Sequence, residues 1–153
     1  MQPYLKSKIV VSDAVFLTPT LPYKYFQQQL IKKEAGTSKW SIPTYRFTSV
    51  SVLQKRIRDG KLKFPIIAKP DAGCRGEGII LLQNAEDFNK LQACSDYVFQ
   101  EFILNDCDWR VIVVGGAPLG VLRRDPQEGS FINNVSQGAT AVPEKDRTTI
   151  ANV

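Results

Sequence analysis

A lysine that closes an apolar run, followed at once by a glycine-rich loop, is the clearest chemical feature of this 153-residue chain. Lys69 ends the run Phe64-Pro65-Ile66-Ile67-Ala68-Lys69, and Pro70 leads into Asp71-Ala72-Gly73-Cys74-Arg75-Gly76-Glu77-Gly78. Glycine accepts positive φ and lets backbone N–H groups approach a ligand closely. Several such N–H groups in succession make a nest for an anion, phosphate above all. The Lys69 ammonium could reach the same anion. The loop is not a P-loop, because Lys-Ser/Thr does not follow its last glycine. It is not a dinucleotide fingerprint either, because a strand and not a helix comes next. A plain hairpin loop has a similar composition, so the loop gains force from its neighbours. Gln100-Glu101-Phe102-Ile103 is an extended segment whose backbone could pair with an adenine edge. Asp108 lies five residues after Ile103, placed to accept from a ribose hydroxyl.

Composition removes other chemistries. The chain has no histidine, which excludes Ser-His-Asp and Cys-His nucleophiles, imidazole bases and His-ligated metals. Cys74, Cys94 and Cys107 show no CxxC spacing, so zinc ribbons and thioredoxin-type motifs fall away. An odd cysteine count without a secretory leader is the pattern of reduced thiols in a cytoplasm. No apolar run approaches the ~20 residues that span a bilayer. Hydrophobic residues at 43% and charged residues at 23% are ordinary for one globular domain with its own core. The net charge of +5 suits either a solvated basic surface or a polyanionic partner. The densest basic stretch is Lys55, Arg56, Arg58, Lys61 and Lys63, one face of a helix and the turn after it.

The elements that must position these residues can be read in order. Lys8–Val11 and Ala14–Leu17 look like short strand pieces, and residues 1–20 have no firmer assignment. Tyr23 to Ala35 has helical spacing at Tyr23, Phe26, Leu30 and Ile31, with Pro22 before it and Gly36 after it. Thr44 to Phe47 reads as a short strand. Ser49 or Ser51 caps a second helix that runs through Ile57 and stops at Asp59-Gly60. Phe64–Lys69 and Gly78–Leu82 form a hairpin around the glycine loop. Asn84 caps a helix from Ala85 to Leu91, with Glu86 and Asp87 in its first turn. Tyr97–Ile103 and Trp109–Val114 are strands, and Gly115-Gly116 turns the chain into Leu119–Arg123. After Gly129 the pattern fades into Asn, Ser, Gln, Gly and Thr. Phe99 and Phe102 read as core residues ahead of adenine-stacking ones. Asp108 and Arg110 have the alternative of a cross-strand charge pair.

In this order and at these spacings the motifs resemble the ATP-grasp superfamily, of the glutathione synthetase and ribosomal-protein glutamate ligase type. The carrying stretches are Phe-Pro-Ile-Ile-Ala-Lys-Pro with the glycine loop, Val-Phe-Gln-Glu-Phe-Ile, Asp-Trp-Arg-Val-Ile-Val-Val-Gly-Gly, and Arg-Arg-Asp-Pro-Gln-Glu-Gly followed by Asn133-Asn134, over residues 20–140. The resemblance implies an α+β fold, a partial ATP-grasp domain over residues 21–153, with mostly antiparallel sheets and flanking helices. It implies Lys24 and Lys69 as the two ATP lysines, and a lid over the phosphates made by Gly73, Arg75, Gly76 and Gly78. Gln100, Glu101 and Ile103 would form the adenine hinge, and Asp108 would bind ribose. Arg110, Arg124 and Asn134 would face the acyl phosphate and the acceptor.

Two departures qualify that reading. Family members carry an arginine shortly before the asparagine, where this chain has Ile132. Complete ATP-grasp domains continue into an acidic strand with a Glu-x-Asn pair that binds two Mg²⁺ ions. This chain stops at Val153 without them, so no residue of it is assigned to metal. The cofactors implied are ATP and, for the complete domain, Mg²⁺. The function implied is the ATP-binding part of a carboxylate–amine or carboxylate–thiol ligase acting through an acyl phosphate. Its partners would be a nucleotide and a small-molecule or peptide carboxylate, with homo-oligomerisation open. A non-catalytic nucleotide-binding module is the rival reading. A basic nucleic-acid binder is the weaker one, because the aromatics do not interleave with Lys and Arg as a stacking groove requires.

Overall fold

The computed structural model describes residues 23–144 apart from Ala35, Thr37, Cys74 and Gly116. The strand pieces expected before Pro19, the Cys74 thiol and the last nine residues lie outside the described residues. The chain divides into two units. One comprises residues up to Gly73 and Glu77–Phe102, and the other Cys74–Gly76 and the chain from Ile103 on.

The first unit is a three-stranded antiparallel sheet with helices. β1 (Ile66–Pro70) lies between β2 (Ile80–Leu82) and β3 (Tyr97–Glu101), so the sheet order is β2-β1-β3. Phe64–Lys69 and Gly78–Leu82 therefore share a sheet, with Ile66 opposite Leu82 and Ala68 opposite Ile80. Along β3 the register sets Ala68 against Phe99 and Lys69 against Val98. Successive side chains of a strand point to opposite faces. Ile66, Ala68, Phe99 and Tyr97 thus share one face, where they join Phe47, Leu53, Leu62, Leu82 and Phe88 in the core. Ile67, Lys69, Val98 and Gln100 share the other. This alternation brings a lysine and a glutamine to the same side of the sheet.

α1 (Lys24–Lys33) and α2 (Val50–Arg58) follow the apolar spacing. On α2, Val50, Leu53 and Ile57 meet the core at i, i+3 and i+7. Ser49 is the cap, accepting from the Val52 N–H at 3.5 Å, and Asp59 ends the helix before Gly60. Thr44–Phe47 is not a strand but a single bridge, in which Tyr45 pairs with Phe99 of β3. The helix expected over Ala85–Leu91 is a 3₁₀ helix, Ala85–Lys90. Asn84 caps it, and Asp87 reaches back to complete the capping box.

The second unit is a separate three-stranded antiparallel sheet. β4 (Asp108–Val114) pairs with β5 (Ala117–Asp125), and β5 pairs with β6 (Thr140–Pro143). A bulge at Ile112/Val113 shifts the register, so Asp108 stands opposite Arg124 and Val114 opposite Ala117. The fading pattern after Gly129 hides order. Val135–Gln137 is a 3₁₀ turn capped by Asn134, and β6 follows it. All four β6 residues are exposed, which removes the alternation that would reveal a strand. Among the described residues no helix is long and apolar enough to cross a membrane.

Candidate functional site

In the first unit the site is built around β1 and the loop that leaves it. Lys69 is half-buried, and its Nζ donates to Gln100 Oε1 at 2.9 Å across the shared sheet face. Gln100 is held from behind. Its Nε2 donates to Thr44 Oγ1 at 2.6 Å, and the Thr44 hydroxyl donates to the Ile42 carbonyl at 2.8 Å. That relay fixes which amide atom faces the lysine. Burial lowers the Lys69 pKa below the ordinary 10.5, and the charge of Lys24 lowers it further. An ammonium kept partly dry beside a second cation is a strong receptor for an oxyanion.

Lys24 reaches the same loop from α1. Its Nζ donates to the carbonyls of Pro70 at 2.6 Å, Gly73 at 3.0 Å and Asp71 at 3.5 Å. Asp71 joins loop to helix. Its carboxylate Oδ1 accepts from the Tyr25 N–H at 2.8 Å, and its carbonyl accepts from the Lys24 N–H at 3.1 Å. A carboxylate on the free N–H groups of a first helical turn is favoured by hydrogen bonding and by the helix dipole. Asp71 Oδ2 faces Arg46 at 3.5 Å. Gly78, closing the loop, has φ +69°, and a Cβ there would stand 2.9 Å from Pro70 Cγ. Only glycine brings the loop back against Pro70. Glu101 turns outward, where its carboxylate accepts from the Lys63 N–H at 3.1 Å.

In the second unit, Arg75 and Gly76 carry the loop with φ +62° and +77°. A Cβ on Gly76 would meet Ile132 Cγ2 at 3.1 Å and Gln137 Cγ at 3.3 Å. Ile132, at the place where an arginine was expected, therefore packs on the loop backbone. Asn134 Oδ1 accepts from the Ser136 N–H and hydroxyl at 3.3 and 3.1 Å, and that hydroxyl also bonds the Arg75 carbonyl at 3.0 Å. Asn134 thus organises the turn beneath the loop. Asp108 is bound on both oxygens by Arg124, from Nε at 2.6 Å and Nη2 at 2.7 Å. The cross-strand charge pair exists, but with Arg124 and not with Arg110. The bulge sets Asp108 opposite Arg124, while Arg110 stands opposite Leu122 and is exposed. Ile103 is exposed at the start of this unit.

The structure thus gathers Lys24, Lys69, Gly73, Gly78 and Gln100 in one unit, and Arg75, Gly76 and Asn134 in the other. Asp108 and Arg124 form a pair of their own. Two contributors carry no signal of their role in the sequence. Asp71 caps a helix 46 residues upstream, and Thr44 orients Gln100 from 56 residues away. Phe99 is fully buried in the core, as its sequence context suggested.

Comparison with known proteins accords with this geometry. The model of the RimK-like ATP-grasp domain matches residues 25–149. A probable alpha-L-glutamate ligase from Maridesulfovibrio salexigens is 31% identical over 92% of this chain and 49% of its own length. A glutathione synthetase from Parasynechococcus marenigrum is 31% identical over 74% of the chain and 40% of its length. A probable alpha-L-glutamate ligase from Cellvibrio japonicus is 33% identical over 56% of the chain and 33% of its length. The chain spans between a third and a half of these curated relatives. Two antiparallel sheets, the glycine loop leaving β1 and the family match together make it a member of the RimK-like ATP-grasp family.

Proposed function

We propose that this chain carries the nucleotide-binding part of an ATP-dependent carboxylate–amine ligase that works through an acyl phosphate. One observation carries the reading. Lys69, half-buried and braced by the Gln100–Thr44 relay, stands beside the cation of Lys24 where the glycine loop leaves β1. Two cations and a largely exposed glycine loop suit a chain of phosphates. The family match and the names of the relatives support the same direction.

In that reaction a carboxylate oxygen takes the γ-phosphoryl group of ATP and ADP leaves. An amine nitrogen then attacks the acyl carbon, and phosphate departs as the amide forms. Such chemistry rests on positioning and on charge neutralisation. Lys69 and Lys24 would neutralise the phosphates, and Gly73, Arg75, Gly76 and Gly78 would cover them. The main chain of Gln100, Glu101 and Ile103 would pair with adenine. Asp108 would accept from ribose once its pairing with Arg124 is shared, and Arg110, Arg124 and Asn134 would serve the acyl phosphate. Mg²⁺ accompanies ATP in such ligases. Among the described residues no three acidic or thiol groups cluster to hold an ion, so no step is assigned to one. A reducing, cytoplasmic setting fits the free thiols of Cys94 and Cys107.

Calorimetric titration with ATP tests the reading. Wild type should bind ATP, Lys69→Arg should keep part of the affinity, and Lys69→Met should lose about tenfold or more. Equal affinities for all three would remove Lys69 from the phosphate site.

A further inference from the structure

The densest basic run in the sequence has no side chain assigned to the nucleotide site, and the structure gives it a shape. α2 and the turn after it face the Tyr45–Phe47 segment across a groove of about 470 Å³. Arg46, Lys55, Arg56 and Lys61 line it, with Asp59 as its carboxylate. Lys55 already holds Asp59 at 3.5 Å and Arg46 faces Asp71 at 3.5 Å, so Arg56 and Lys61 supply the groove's surplus of positive charge. A second cavity of about 270 Å³ shares Tyr45 and Arg56 as its wall and adds Lys32, Ser38 and Ser41.

Arg56 is the informative member. Its guanidinium lies over the Tyr45 ring at 4.7 Å from the centroid, and Tyr45 stacks on Phe47 at 6.1 Å. A stacked guanidinium spends its face and keeps its in-plane N–H donors for an oxyanion. Its Nε is buried and has no hydrogen-bond partner among the described residues. Buried donors are nearly always satisfied, so this one marks a wall that lacks a polar neighbour. Among the described residues no carboxylate pairs with Arg56 or Lys61.

We propose that this groove is a second anion site, taking a small molecule with more than one phosphate group. The Arg56 guanidinium over the Tyr45 ring offers N–H donors to one phosphate, and Lys61, with Lys55 and Arg46 beside it, adds charge for another. This inference is independent of the nucleotide reading.

The test titrates the full chain with inorganic tripolyphosphate, without Mg²⁺, in wild type and in Lys69→Met. The second background silences the glycine loop. Lys69→Met should retain one binding event. Combining it with Lys55→Ser and Lys61→Ser, both at exposed positions, should weaken that event about tenfold, and so should Arg56→Gln. Arg56→Lys should restore it only in part, and added salt should weaken it throughout. Amide shifts in wild type give the same answer without substitution, because tripolyphosphate should move residues 45–61 as well as the loop. Loss of all binding in Lys69→Met with residues 45–61 unmoved would overturn the proposal. Binding indifferent to the groove substitutions would do the same, leaving an adventitious ion only.

Discussion

Replacing Lys69 with methionine should separate binding from stability. The side chain makes one charge-assisted hydrogen bond, to Gln100 Oε1 at 2.9 Å. Removing it leaves Gln100, a buried residue, without that donor, a cost of about 1–3 kcal/mol. The same change removes a partly desolvated cation from beside Lys24, which is favourable. The two effects oppose, so the net change in folding should stay near 1 kcal/mol, about 2–4 °C in Tm for a chain of this size. Binding has no such offset. A charged contact to phosphate in a partly dry site contributes about 1.5–3 kcal/mol, so ATP affinity should fall about 10- to 150-fold. The pH dependence has a defined sign. Lys69 has a folded pKa below the unfolded 10.5. Below the folded value both states carry the proton and the burial penalty stands in full. Between the folded value and 10.5 the unfolded chain binds more protons, so the contribution of Lys69 to stability rises with pH. Wild type should therefore gain on Lys69→Met as pH climbs through that window, while ATP affinity falls as the ammonium loses its proton. Thermal melts and calorimetry on both proteins from neutral pH upward read both quantities. A stability difference that moves the other way, or ATP affinity that is level across the window, would exclude a partly dry, phosphate-binding Lys69.

Other substitutions probe the supports. Gly78→Ala, at φ +69° with Pro70 Cγ 2.9 Å from the new Cβ, should lower stability by about 1–3 kcal/mol by urea unfolding. Asp71→Ala should cost about 1–2 kcal/mol through the lost cap on α1, with Asp71→Asn recovering most of it in the same assay. A double-mutant cycle on Asp108→Asn and Arg124→Gln should give a coupling of about 1 kcal/mol, above that of an exposed pair because Arg124 is largely covered, and Arg110→Gln should not couple to Asp108. Leu53→Ala, in the fully buried centre of the first core, should cost about 2–5 kcal/mol.

Local physics accounts for what the sequence discloses. The Lys69 strand, the glycine loop and the Ser49 and Asn84 caps all depend on neighbours within a few residues, and each lies where its pattern places it. Features that depend on register across long separations were hidden. The pairing of Asp108 with Arg124 follows from a bulge at Ile112/Val113 that no residue type announces. β6 escapes notice because all its residues face solvent, and Thr44–Phe47 is a lone bridge because only Tyr45 reaches β3. Asp71 reads as a loop residue until α1 is folded onto it.

If the β1 loop and the end of β3 receive a nucleotide, backbone amide shifts during an ATP titration will report it. Lys69, Gly73, Gly76, Gly78, Gln100, Glu101 and Ile103 should shift together along one saturating curve. Adenosine alone should move only Gln100 to Ile103. Shifts confined to residues 45–61, or a loop that stays still while ATP binds, would contradict it.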